Sequence, residues 1–182
     1  MAVFRIAFAS ETLFRTVNLN VIVPVETYGR TDVKKPEKFK TLYLLHGFGG
    51  SQDDWMDYSN LRAISEKYNL AIVLPSGENS FYENMNSIAD YDYYVRTFGD
   101  LDCLKDSEKD PMYCVKKAVL QKNMPEVYQA VGTEDFLIEE NRMMKKRLEK
   151  EGVKVTYYEA EGIHDWSFWN KYLPEAVEWL LE

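Results

Sequence analysis

The sequence predicts an α/β fold with a mostly parallel sheet, and three observations carry that expectation. Short apolar runs alternate with stretches of helical spacing through the middle and the second half of the chain. Several of those runs stop on glycine or on Pro-Ser-Gly, as strands closing into loops do. The composition, 46% hydrophobic and 14% aromatic over 182 residues, is that of a chain able to bury one core.

Taken in order, residues 3–9 and 16–23 are rich in β-branched and aromatic side chains and predict an antiparallel pair joined through Ser10-Glu11. A lysine-rich loop, Thr31-Asp-Val-Lys-Lys-Pro-Glu-Lys38, leads into Lys40-Thr-Leu-Tyr-Leu-Leu-His-Gly47, a continuous apolar run that predicts a buried strand. From 58 to 68, Leu61, Ile64 and Tyr68 recur at helical spacing and Asn69 ends the pattern. Leu70-Ala-Ile-Val-Leu74 follows and Pro75-Ser-Gly77 stops it, so strand, helix and strand form a βαβ unit with parallel strands. Residues 127–131, closed by Gly132, predict another strand; residues 138–150 predict a helix stopped by Gly152, and residues 153–158 a further strand. The chain then enters a helix whose Leu173, Ala176, Val177, Leu180 and Leu181 share one apolar face. Between 80 and 126 the sequence is acidic and aromatic, with one short helix expected at 113–120 and no strand. A doubly wound sheet carries a central strand there. Residues 1–182 read as a single domain.

Thirty acidic against twenty-two basic side chains give a net charge of −8, which repels phosphate backbones and anionic lipid. Neither nucleic acid nor a membrane is expected as a partner. The opening Met-Ala-Val-Phe-Arg-Ile-Ala-Phe-Ala-Ser10 has no basic stretch followed by a continuous apolar run, and no later run reaches the length of a membrane span. A cytoplasmic location is the expectation. Cys103 and Cys114 lack C-x-x-C spacing and read as free thiols. The acidic stretch 90–110 lacks the spacing of a calcium loop and reads as a solvated surface, so neither metal nor cofactor is expected.

Ligands of open parallel sheets sit at the carboxyl ends of the strands. Three predicted strands end on chemical groups there. His46-Gly-Phe-Gly-Gly-Ser51 has glycines that let backbone N–H groups turn toward an oxyanion; Gly132-Thr-Glu-Asp-Phe136 puts a carboxylate just past its strand; Gly162-Ile-His-Asp165 does the same with an imidazole. A carboxylate past one strand and a histidine past the next, in the order Asp then His, make the tail of an α/β-hydrolase triad. His164 is then the candidate general base and Asp135 the group that fixes its tautomer. The rival reading of a histidine among aromatics is a packed or surface residue, and Trp166, Phe168 and Trp169 read first as anchors of the last helix.

Five stretches, Tyr43-Leu-Leu-His-Gly-Phe-Gly-Gly-Ser-Gln-Asp-Asp-Trp55, Asn79-Ser-Phe-Tyr82, Phe98-Gly-Asp-Leu101, Gly132-Thr-Glu-Asp-Phe-Leu137 and Gly162-Ile-His-Asp-Trp-Ser-Phe-Trp169, closely resemble the esterase family that includes tributyrin esterase. Feruloyl and acetyl esterases and S-formylglutathione hydrolase are its relatives. The resemblance runs in the same order over nearly the whole chain. It implies an α/β-hydrolase fold with helices on both faces of the sheet, and hydrolysis of short-chain carboxylic esters through an acyl-enzyme, without metal or cofactor. It also maps the triad acid onto Asp135, the base onto His164 and one oxyanion donor onto the backbone N–H of Phe48. His46, Gly47 and Trp166 are candidates to line the substrate pocket.

One part of the pattern is missing. The nucleophile of such a hydrolase stands on a G-x-S-x-G elbow, and none of the nine serines, nor either cysteine, has glycine two residues before and two after. The resemblance implies a central strand, elbow and elbow helix between the Asn79 and Phe98 motifs, yet only sixteen residues separate Phe81 from Phe98. The block is therefore absent between about 83 and 97. Three explanations stand: an internal deletion, natural or engineered; a longer chain whose central segment is not among these 182 residues; or another nucleophile. Ser51, Ser76 and Ser167 lie near strand ends, but none on a strained elbow. A true deletion would open a sheet edge and favour homo-oligomers. The chain is expected either to hydrolyse small ester substrates or to serve as an inactive binding module on a remnant of this fold.

Overall fold

The computed structural model describes residues 1–25, 38–77 and 100–182. The chain divides into two compact units, Met1–Asn86 and Ser87–Glu182. Most of the lysine-rich loop, the Asn79-Ser-Phe-Tyr82 motif and the proposed gap between about 83 and 97 lie outside the described residues.

The first unit is a four-stranded sheet in the order β1-β2-β4-β3. Strands β1 (Ala2–Ser10) and β2 (Arg15–Val23) form the expected antiparallel pair, with Ala2 opposite Val23 and Ser10 opposite Arg15. The second side of β2 takes β4 (Leu70–Pro75), again antiparallel, and β4 takes β3 (Lys40–Tyr43) in parallel, as the βαβ reading requires. Alternation along β4 buries Leu70, Ile72 and Leu74, and Ile72 lies directly opposite the equally buried Ile22. These side chains, with Leu61 and Ile64 of the connecting helix, make the core of the unit.

Two expectations change here. The helix foreseen over 58–68 is two helices, α1 (Asp54–Tyr58) and α2 (Leu61–Tyr68), because Ser59 is extended between them. The second ends as predicted at Asn69, whose φ of +55° is a left-handed cap, and Ser65 Oγ donates to Leu70 O to tie helix to strand. The strand at 40–45 is not buried. It is four residues long and forms an edge, so Tyr43 is 69% exposed, with Leu45 beyond it at 49%: among the described residues only β4 pairs with it.

The second unit holds β5 (Val127–Gly132) and β6 (Val155–Ala160), paired in parallel with Gly132 opposite Ala160. Among the described residues three α-helices accompany them: α3 (Pro111–Leu120), α4 (Ile138–Lys150) and α5 (Trp166–Leu181). Helix α3 is capped by Asp110, whose Oδ1 accepts from Met112 N–H at 2.9 Å. Helix α4 has the predicted bounds, and Gly152 follows it at φ +82°. The face that α5 buries differs from the expected one: Phe168, Tyr172 and Val177 are inside, whereas Leu180 is 54% exposed. The sheet of the first unit, with two antiparallel pairs and one parallel, is mixed rather than mostly parallel, whereas the β5–β6 pair of the second unit is parallel. The N-terminal hairpin accounts for this by adding to β4 from the antiparallel side. No helix among the described residues is long and apolar enough to cross a membrane.

An ion-pair cluster fastens α4 to β6. Arg142 donates to both carboxylate oxygens of Glu159, at 2.8 and 2.7 Å, and to Glu139 at 2.6 Å, while Tyr157 Oη donates to Glu159 at 2.7 Å. The Arg142 contact, followed by the Tyr157 hydrogen bond, pulls the Glu159 carboxyl down to about 2.

Truncating Ile72 to Ala leaves a cavity at the centre of the first unit, and urea titration should show a loss of about 3 kcal/mol. Because the Glu159 carboxyl titrates lower in the folded chain than its ordinary 4.5, its stabilising contribution is complete above about 4.5 and is lost as pH falls toward about 2. Glu159→Gln should therefore lower stability at neutral pH and flatten the acid limb of a melting-temperature profile across that window.

Candidate active site

The strand ends of the second unit are knit together before any functional side chain is considered. Thr133 N–H donates to Ala160 O at 2.8 Å and Glu134 N–H donates to Gly162 O at 3.0 Å. Glu134 returns the contact through its side chain, accepting from Gly162 N–H at 2.9 Å. Its carboxyl is held below the usual range first by the Thr133 hydroxyl and then by this Gly162 amide. Gly132 is needed because a Cβ there would collide with Gly162 O, and Gly162, at φ +148°, would bring one to 2.7 Å from Phe168 Cδ2.

That clasp delivers the two residues the sequence singled out. His164 Nδ1 lies 2.9 Å from Asp135 Oδ2, and Asp135 Oδ1 accepts Leu137 N–H at 2.8 Å. Asp135 is only 6% exposed, so its charge rests on these donors. An ionised carboxylate only accepts, which makes Nδ1 the protonated nitrogen and leaves the lone pair on Nε2. Among the described residues Nε2 makes no hydrogen bond, and the His164 side chain is 39% exposed.

Packing fixes the ring as well. Phe136 lies against the imidazole with centroids 4.9 Å apart, and Trp169 meets it edge-on at 5.0 Å. Trp166 meets Trp169 edge-on, also at 5.0 Å. Asp165 places this aromatic group: its Oδ1 accepts Phe168 N–H at 3.0 Å and caps α5 immediately after the histidine. Of the three aromatics expected to anchor the helix, Phe168 does so in the core, but Trp169 also supports the imidazole. The roles of Phe136 and Trp169 were missed from sequence. The available cue was Asp165, a capping residue that starts the helix whose first turn sets Trp169 against the histidine.

The first unit carries the glycine-rich strand end. His46 is 6% exposed; its Nε2 accepts Gly77 N–H at 2.9 Å and its Nδ1–H donates to Gly47 O at 2.7 Å. These bonds join the ends of β3 and β4. Gly49 adopts φ +75°, and at Gly50 a Cβ would strike the Asp54 carboxylate and come within 3.1 Å of His46 Nδ1. Asp54 in turn accepts from Ser51 N–H and Oγ–H at 3.0 and 3.1 Å. The buried Asn20 of β2 donates to Gln52 O and to Asp53 Oδ1, so the loop is tied to the sheet beneath it. Phe48, at the tip, is 73% exposed. His46, Gly47 and Phe48 thus belong to one unit, and Asp135, His164 and Trp166 to the other.

No family model matches the chain. A characterised relative, an acetyl esterase of Caldicellulosiruptor saccharolyticus, is 31% identical, with 99% of this chain and 98% of the relative covered. The match extends over 261 aligned positions against the 182 residues of this chain, so at least 79 of them face no residue here. Two solved structures share the fold. The Staphylococcus aureus fluorophosphonate-binding serine hydrolase FphF superposes with a TM-score of 0.85 at 20% identity, covering 100% of this chain and 98% of its own. An S-formylglutathione hydrolase from Agrobacterium tumefaciens gives 0.75 at 13% identity, covering 97% and 92%.

In an Asp135→Asn variant Oδ1 can still take Leu137 N–H, but an amide N–H then faces the imidazole. The neutral His164 ring should change from the Nδ1–H to the Nε2–H tautomer. Imidazole 15N shifts read that directly, with no need for turnover.

Proposed function

This chain belongs to the family of carboxylesterase-type α/β hydrolases that includes the Caldicellulosiruptor acetyl esterase, and from that premise we propose that it carries the acid and the base of a Ser-His-Asp acyl-transfer site for short-chain esters. The observation that carries the reading is the 2.9 Å contact between His164 Nδ1 and the buried Asp135 carboxylate, which leaves Nε2 as the proton acceptor. In the mechanism the serine hydroxyl gives its proton to Nε2 as it attacks the ester carbonyl. Asp135 stabilises the imidazolium, and the Phe48 N–H receives the oxyanion. The proton then passes to the leaving alcohol, and water frees the acyl group by the same route. His46 shapes the oxyanion loop from beneath, through its bonds to Gly47 and Gly77. Gly47 and Trp166 line the acyl or alcohol side. Neither metal nor cofactor enters the scheme. The same proposal takes the chain as one cytoplasmic domain.

The nucleophile is the part this chain does not contain. The positions of the relative that find no counterpart here support placing the missing strand, elbow and helix between about 83 and 97, where the sequence passes from one family motif to the next in sixteen residues. The second reading, an inactive module that binds rather than cleaves, is favoured by the same absence of a G-x-S-x-G serine.

Intact mass, fluorophosphonate labelling and tributyrin hydrolysis on one preparation separate the two. A mass above 21.3 kDa with a labelled serine and turnover is the expected signature of the esterase with its elbow. A mass of 21.3 kDa, no label and no glycerol ester cleaved would overturn the serine mechanism and leave the binding module.

A further inference from the structure

The 182-residue chain holds a general base without its serine, and the geometry of that base suits it to a second kind of chemistry. We propose that His164 is itself an acyl acceptor, so that this chain hydrolyses activated aryl esters through an acyl-imidazole on Nε2, with no serine involved. The inference rests on the assignment of Asp135 and His164 above, and adds a covalent role that a general base does not have.

Four features of the second unit support it. The Nδ1–H is committed to Asp135 Oδ2 at 2.9 Å, which fixes the tautomer with its lone pair on Nε2 and adds electron density to the ring. Nε2 has no hydrogen-bond partner among the described residues, and the side chain is 39% exposed, so a carbonyl carbon can reach it. Phe136, tilted against the imidazole at 4.9 Å, and Trp169, edge-on at 5.0 Å, restrict the ring, so its orientation does not have to be selected at each encounter. Phe136 is also 75% exposed, and its ring offers a stacking surface to an aryl leaving group beside the imidazole.

The step balances without any further reagent than water. The Nε2 lone pair forms the C–N bond, the carbonyl π pair moves to oxygen, and its return breaks the C–O bond and expels the aryl oxide. The acyl-imidazolium keeps its proton on Nδ1, donated to Asp135 Oδ2. Water adds to the acyl carbon, the C–N bond breaks with its electrons returning to Nε2, and both protons of the water leave to solvent, giving carboxylate and phenolate. The leaving group sets the substrate class. From the tetrahedral adduct a nitrophenolate leaves more readily than imidazole, whereas an alkoxide does not, so aryl acetates turn over and triglycerides do not.

The test is turnover of p-nitrophenyl acetate by the purified 21.3 kDa chain, before and after fluorophosphonate treatment, beside free imidazole at equal concentration. Adduct mapping with p-nitrophenyl pivalate, whose hindered acyl group hydrolyses slowly, accompanies it. We expect turnover about tenfold or more above free imidazole, unchanged by the fluorophosphonate. It should be lost in a folded His164→Gln variant, and the pivaloyl group should map to His164 and not to the buried His46. Turnover abolished by fluorophosphonate, with the pivaloyl group on a serine, would overturn this inference while upholding the serine esterase. Turnover no faster than free imidazole, with no adduct on His164, would overturn it too, and the fluorophosphonate label alone would then judge the esterase reading.

Discussion

The close approach of Gly132 to Gly162 is the constraint on which the candidate site depends. Parallel pairing sets Gly132 opposite Ala160, so the two chains leave β5 and β6 side by side; absence of a Cβ at Gly132 lets the backbone of 162 cross directly over it. The next residues on each side are then committed. Glu134 and Gly162 exchange two hydrogen bonds, Asp135 turns inward toward Leu137 N–H, and His164 is carried to within 2.9 Å of Asp135. A residue with a side chain at 132 would part the two loops and separate Asp135 from His164, even though neither of those side chains had changed.

Electrostatics and packing then divide the work. At 6% exposure the Asp135 carboxylate loses most of its hydration. The Leu137 amide and the imidazole N–H offset that loss by donating one bond to each oxygen. The aromatic pair on either side of His164 adds no charge; it restricts the ring so that a single nitrogen faces outward. Asp165 serves both ends of this arrangement, because capping α5 also starts the helix that brings Trp169 back over the imidazole.

Much of this was legible in the residues. The N-terminal hairpin, the parallel β3–β4 pair and the bounds of α4 follow from period-2 and period-3.6 patterns with clear stops at Pro75-Ser-Gly77 and Gly152. The dyad was legible for a different reason: a carboxylate and a histidine each stand just past a strand, and parallel neighbours must end on the same side. What was not legible depends on neighbours. An apolar run such as residues 40–45 looks the same in a central strand and in an edge strand, and only pairing shows that Tyr43 is exposed. Likewise the stripe that α5 buries rotates toward Phe168 and Tyr172 because large aromatic side chains outreach Leu180, which a count of apolar positions does not weigh.

Edge exposure sets β3 apart from its sequence. At the end of β3 and just past it the chain presents Tyr43, Leu45 and Phe48 at 69%, 49% and 73% exposure, an apolar series at a strand that has one described neighbour. On a sheet built to end there, charged residues or proline would stand in those places. Only Lys40, at the start of the strand, is of that kind. The sequence of β3 is therefore that of an interior strand, although among the described residues it pairs with β4 alone. A further strand on that side of β3 would cover this apolar series, since a paired and covered position is the one in which exposed Tyr43 and half-buried Leu42 would be buried as the pattern of the run requires.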